Sequence, residues 1–262
     1  MSSCRRSKKL FTRLRDGLDI EAYLTVPMSY KDGQPVPAIV LPHGGPMARA
    51  YGGFDWLVQF LANRGYVVLQ PNFRGSSGYG FQFEMQAVQN WGERMQDDLA
   101  DAANWMIDQE LAIPGKICIV GRSYGGYASL MAAAKQQDTF SCAASINGVS
   151  DQWEVWASAR RYMSKEIIRK QLGTNKEDLI ARSPISYTKT IDIPVLLIHG
   201  EKDRIVPVTH SRRMDKALRK AGKQVKYVEL DNGNHSLSIE QNRIETLRLL
   251  EEFLLANLGK TT

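Results

Sequence analysis

Cysteine is scarce in this 262-residue chain, with only Cys4, Cys118 and Cys142, an odd number without metal-ligand spacing. That scarcity excludes a disulfide-scaffolded fold and a structural zinc site. Cys118 and Cys142 fall in apolar runs that read as core strands, so both are expected to be reduced, buried thiols. No apolar run approaches a membrane span, and the basic N-terminus lacks the apolar stretch that a secretory signal requires. There is no repeat, no low-complexity tract and no Pro/Gly/Ser-rich linker in the middle. No G-x-G-x-x-G follows the first strand, which argues against a dinucleotide fold. The expectation is a cytoplasmic protein that needs no cofactor and no metal, with no nucleic-acid or membrane partner.

What the chain does have is enough apolar material, 43% of residues, to bury one large core. Its formal charge of +6 is unevenly placed. Arg5, Arg6, Lys8, Lys9, Arg13 and Arg15 all precede the first acid, Asp16, and the remaining 28 basic residues balance 28 acidic ones. Residues 1–15 therefore read as a solvated, mobile basic tail and residues 16–262 as a near-neutral domain. A second basic set, Arg212, Arg213, Lys216, Arg219 and Lys220, has helical spacing and reads as a helix's wet face. No stacking aromatics lie among these charges, which gives nucleic-acid binding no support.

Short β-branched runs ("AIVL", "YVVL", "ICIV", "CAASI", "VLLI") alternate with helical patterns such as "FDWLVQFLANRG" and "MQDDLADAANWMIDQ". That rhythm predicts an α/β fold, a mostly parallel twisted sheet with helices on both faces. Residues 150–190 break it and are expected to form a helical insertion over the sheet's C-terminal edge. Trp153, Trp156, Tyr162 and Met163 cluster in that insertion, as lid-to-core packing or as a pocket lining.

The chemistry centres on "IVGRSYGGYASL". Gly121-Arg122-Ser123-Tyr124-Gly125 is a G-x-S-x-G pattern between a strand-like run and a small-residue helix, the setting of a nucleophile elbow. A serine hydroxyl needs a base. Of the four histidines, only His235, in "LDNGNHSL", lies in a loop after a strand and after a candidate acid. Asp203, in "VLLIHGEKDRIVP", is the orienting acid preferred over Glu201 and over Asp231, the plain alternative being a turn aspartate that caps its own backbone. Gly45, in "VLPHGGPMA", and Tyr124 can offer backbone N–H groups to an oxyanion. The order Ser123, Asp203, His235 is that of α/β-hydrolases.

"HGGP", "NFRGSSGYG", "WGERMQDDL", "GRSYGGY", "HGEKDRIVP" and a closing "GNH", in this order, resemble the catalytic domain of the prolyl oligopeptidase family, especially its acylaminoacyl-peptidase-like branch. The resemblance runs from about Asp16 to the C-terminus. It implies an α/β-hydrolase fold, a Ser123, Asp203, His235 triad, and Gly45 and Tyr124 as oxyanion donors. Arg74 and the glycines after it match a segment read as structural. Larger family members carry a β-propeller ahead of this domain. Here the alternatives are a free-standing hydrolase, single or a homo-oligomer, and a domain cut from a longer chain. Arg122, beside the nucleophile, departs from the small or aromatic residue expected there, and a carboxylate behind the elbow is its expected partner.

The implied activity is a serine peptidase acting through an acyl-enzyme on short or N-acylated peptides. The alternatives are a carboxylesterase acting on small esters and a silent hydrolase fold used for binding. A histidine base must be neutral, so activity should rise as pH passes through roughly 6 to 7.

Overall fold

A computed structural model describes residues 7–158 and 165–259. Tyr162 and Met163 of the insertion, and Cys4, Arg5 and Arg6 of the N-terminus, lie outside the described residues. The alternating runs form strands β1 (Lys8–Arg13), β2 (Asp19–Thr25), β3 (Val36–Val40), β4 (Val67–Pro71), β5 (Ala112–Arg122), β6 (Cys142–Ile146), β7 (Val195–Gly200) and β8 (Val225–Leu230). They make one sheet in the order β1-β2-β4-β3-β5-β6-β7-β8. Strands β3 to β8 run parallel, and β1 and β2 are the antiparallel edge.

Both faces are covered, as continuous apolar strands require. Side-chain alternation splits β5, sending Ile117 and Ile119 to one core and Cys118 and Val120 to the other. Helices α3 (Arg94–Asp108), α4 (Tyr124–Lys135) and α8 (Thr209–Lys220) cover the first core through Met95, Leu99, Leu130 and Met214. Helices α1 (Trp56–Asn63) and α9 (Glu240–Leu258) close the second through Leu57, Leu61, Leu250 and Leu254. A short helix, α2 (Phe81–Met85), bridges β4 and α3. Between β6 and β7 lie α5 (Gln152–Ser158), α6 (Lys165–Leu172), α7 (Lys176–Ala181) and a 3-10 turn at Pro184–Tyr187, the insertion expected from the broken rhythm. No helix among the described residues is long and apolar enough to cross a membrane.

Two expectations are corrected. Residues 8–13 are not a mobile tail but the edge strand β1, hydrogen-bonded to β2 from Lys8 opposite Leu24 to Arg13 opposite Asp19. Thr12 is buried, while the basic side chains find acids: Lys9 pairs with Glu21, Arg13 with Asp19 at 2.8 Å, and Arg15 with Asp101. Of these pairs only Arg13–Asp19 is exposed on both sides and contributes about 1 kcal/mol or less, and lysines also discourage further pairing at a sheet edge. The second correction concerns Cys118 and Cys142, which form a disulfide rather than two free thiols. Parallel pairing sets them directly opposite each other on β5 and β6, with Cα atoms 4.7 Å apart. The thiol argument for a cytoplasmic location goes with it.

Candidate active site

The loops that leave the carboxyl ends of β3, β5, β7 and β8 meet on one rim, where open parallel sheets bind ligands. Ser123 sits at the β5–α4 junction with φ 57° and ψ −120°, a strained backbone that aims its side chain away from the sheet. Glycine makes the bend possible. A Cβ on Gly121 would overlap the backbone of Gly125, and one on Gly125 would overlap the carbonyl of Pro42. The Ser123 N–H donates to the Ile146 carbonyl at 2.9 Å, which ties the elbow to the neighbouring strand. Tyr124 N is the first helical position of α4, a place without an intrahelical acceptor.

Ser123, Asp203 and His235, far apart in the chain, lie in one hydrogen-bonded row. His235 Nδ1 donates to Asp203 Oδ2 at 2.6 Å, and His235 Nε2 lies 3.0 Å from Ser123 Oγ. The Asp203 carboxylate is fully buried. Its other oxygen accepts the N–H groups of Ile205 at 2.8 Å and Val206 at 2.9 Å. Asp203 thus makes both kinds of contact, one oxygen capping the turn and the other accepting from the histidine. Neither Glu201 nor Asp231 takes that place; Glu201 accepts instead from Asn232 N.

Two supporting residues had not been singled out for the site. Asn147, just past β6 with φ 51°, accepts from Gly200 N at 2.8 Å and donates to the His235 carbonyl at 3.0 Å. It thereby fastens the histidine loop to the end of β7. Its signal was an Asn-Gly pair after a strand, since Asn tolerates positive φ better than most residues. His199 is buried, with Nε2 donating to the Val206 carbonyl at 2.9 Å and Nδ1 accepting from Ser211 Oγ at 2.7 Å. Burial pulls its pKa down to about 4, so it is a neutral brace for the turn that carries Asp203.

Gly44 and Gly45 lie beside the nucleophile, since a Cβ on Gly44 would stand 3.5 Å from Ser123 Cβ. His43 anchors this loop, with its ring stacked on Phe73 at 4.3 Å, Nδ1 donating to the Gly44 carbonyl and Nε2 2.8 Å from Ser76 Oγ. Arg74 is structural, as read. It is buried and donates to Asp98 at 2.8 Å and to Asp16 at 2.9 Å. Burial pushes Asp98 up to about 6 despite that partner.

Ser123 borders two cavities. The first also meets Gly45 and Tyr124 and is walled by Trp91, Val149, Ile168, Leu172 and Val206. The insertion supplies part of that wall. It is held against α4 by Tyr127 Oη, which donates to the Arg182 carbonyl at 2.8 Å and accepts from Gln152. Trp153 and Trp156 do not line it. They stack on each other at 4.7 Å, with Lys176 over one ring and Lys165 over the other. The second cavity contains His235, together with Arg49, Tyr51, Phe54, Asp55 and Arg122. The carboxylate partner expected for Arg122 is not found. Among the described residues it forms no salt bridge, and its guanidinium lies 5.8 Å from the Trp56 ring. Among the described residues, no group of three or more His, Cys, Asp or Glu is placed to hold a metal ion.

A serine on a strand–helix elbow, at the carboxyl edge of a mostly parallel sheet covered on both faces, is the architecture of the α/β-hydrolase peptidases, and solved structures of that class superpose on it. An acylaminoacyl peptidase in complex with Z-Gly-Gly-Phe-chloromethyl ketone matches 97% of this chain and 42% of its own, with TM-score 0.88 and 28% identity. The acylaminoacyl peptidase of Pyrococcus horikoshii matches 99% and 43%, with TM-score 0.90 and 27% identity. Residues 53–261 match the prolyl oligopeptidase family, and this chain belongs to it. Dipeptidyl aminopeptidase BIII of Pseudoxanthomonas mexicana is 35% identical over 261 residues, which is 94% of this chain and 37% of that protein. The chain thus spans about two-fifths of the length of the relatives it matches.

Proposed function

We propose that residues 16–262, with β1 joined to their sheet, act as the catalytic domain of a serine peptidase that cleaves short or N-acylated peptides through an acyl-enzyme. The observation that carries the reading is the row of contacts from Asp203 through His235 to Ser123, at 2.6 and 3.0 Å. Ser123 Oγ bonds to the carbonyl carbon of the substrate while its proton passes to His235 Nε2. Asp203 keeps the other imidazole proton on Nδ1 and stabilises the imidazolium that forms. The negative charge on the former carbonyl oxygen is met by the N–H groups of Gly45 and Tyr124. The C–N bond then breaks as His235 returns its proton to the leaving amine, and water repeats the cycle on the ester.

The acyl residue places its side chain in the cavity of Trp91, Val149, Ile168 and Leu172, where burial of an apolar group is favourable at about 25 cal/mol per Å². The structural relative whose bound inhibitor ends in Phe-chloromethyl ketone supports an apolar residue at that position.

Hydrolysis of an acetyl-phenylalanine anilide, compared with a short-chain aryl ester, tests the proposal. Turnover of the anilide that disappears in Ser123→Ala is expected. An ester-only enzyme would replace the peptidase reading with a carboxylesterase, and no turnover of either would remove both.

A further inference from the structure

We propose that the cavity on the His235 side of Ser123 is a leaving-group subsite for a carboxylate, held by the Arg122 guanidinium. The inference rests on the roles proposed above for Ser123 and His235. A leaving amine must be reached by His235 Nε2 to receive its proton, so the leaving group occupies the cavity that contains His235. Of the two cavities bordering Ser123, that is the one walled by Arg49, Arg122, Tyr51, Phe54 and Asp55.

The charges on that wall are unequal. Arg49 is already engaged, with its guanidinium 2.8 Å from Glu21, a carboxylate it shares with Lys9, and packed on the Tyr51 and Tyr79 rings, although its Nε also lacks a partner. Asp55 caps α1, accepting from Leu57 N at 2.8 Å and Val58 N at 3.2 Å. The Arg122 guanidinium, 5.8 Å from the Trp56 ring, makes neither a hydrogen bond nor a salt bridge among the described residues, and its Nε is buried without a partner. Burial lowers its pKa from the ordinary value, opposed only by the field of Asp55. A desolvated guanidinium on a cavity wall is complementary to a planar carboxylate, which it can bind through two parallel N–H donors.

Reach sets the position of that carboxylate. Arg122 adjoins Ser123, with Cα atoms about 3.8 Å apart, and an extended substrate advances about 3.3–3.6 Å per residue. The anion therefore lies one or two residues beyond the scissile bond. Tyr51 and Phe54, 68% and 75% exposed, form an aromatic lip for the body of that segment. The site thus favours peptides that end soon after the cleaved bond.

The test uses binding without turnover. Calorimetry on the Ser123→Ala protein compares acetyl-Phe-Ala-Ala as free acid, the same peptide as C-terminal amide, and acetyl-Phe-Glu-Ala amide. The free acid should bind about tenfold or more tighter than its amide. Arg122→Gln should remove that difference, and Arg122→Lys should keep part of it. Tight binding of the glutamyl amide through Arg122 would identify a side-chain carboxylate as the ligand; weak binding would identify the terminal one. Glutamine at the end of a buried strand can impair folding, so the protein with Arg122 intact is read first. Equal affinity for the free acid and both amides there overturns the subsite, as does a preference that survives Arg122→Gln. Failure of the anilide assay instead removes the peptidase reading, and the two results are independent.

Discussion

On one side of Ser123 the wall comes largely from the segment between β6 and β7, through Val149, Ile168 and Leu172, with Trp91 behind them. On the other side it comes from the strand-end loops that carry His43, Arg49, Arg122 and His235. The first wall acts by area and volume, which discriminate weakly between apolar groups of similar size. The second acts by charge and hydrogen bonds, which penalise a ligand that leaves a buried group unpaired. On the proposed reading, one nucleophile thus faces a tolerant acyl pocket and a demanding leaving-group pocket, and the tolerant one is carried in part by the segment that departs from the strand–helix rhythm.

The comparison can be broken or sharpened in order of effect. Ser123→Ala removes the atom both sides share, and the turnover number for the anilide should fall by about 10⁴ or more. Asp203→Asn keeps the shape of both walls but lets His235 take the wrong tautomer, so the turnover number should fall by about 10³–10⁴ with KM little changed. Asp98→Ala leaves the buried Arg74 with only the more exposed Asp16, beneath the loop whose Asn72 and Tyr79 brace the His235 side. Breaking a buried pair should cost about 3–5 kcal/mol, visible as a lower urea midpoint. Exchanging Phe for Ala at the acyl residue should lower kcat/KM by about 10–100-fold, and an equal rate would show that the apolar wall does not select.

The remaining effect is a pH dependence of folding. Burial holds His199 and His43 at about 4, below the ordinary 6.5. Between those values the unfolded chain binds protons that the folded chain does not. Stability should therefore fall as pH drops through that window, by up to about 1.4 kcal/mol per pH unit for each histidine, offset in part by Asp98, whose raised pKa acts in the opposite sense. Urea midpoints at pH 7, 6 and 5 check this, and His199→Gln should flatten the slope.

The sheet was readable because its central strands are short, β-branched and bounded by turns, and the elbow because two glycines are needed where backbones nearly touch. β1 was not, because "KKLFTR" reads by charge as a tail until its partners on β2 are known. The disulfide was hidden for a related reason. Cys118 and Cys142 become opposite only through the parallel register of β5 and β6, which local pattern does not determine. Asn147 and His199 act on His235 and Asp203 through backbone groups of other loops, a role that spacing along one chain does not display.

That a buried carboxylate and an imidazole make Ser123 the reactive alcohol is tested most directly by mapping the adduct of a fluorophosphonate probe by mass spectrometry. The expected result is a single phosphonylated peptide carrying Ser123, absent in Ser123→Ala and formed far more slowly in His235→Gln. Modification at another residue, or undiminished labelling without His235, would contradict the account.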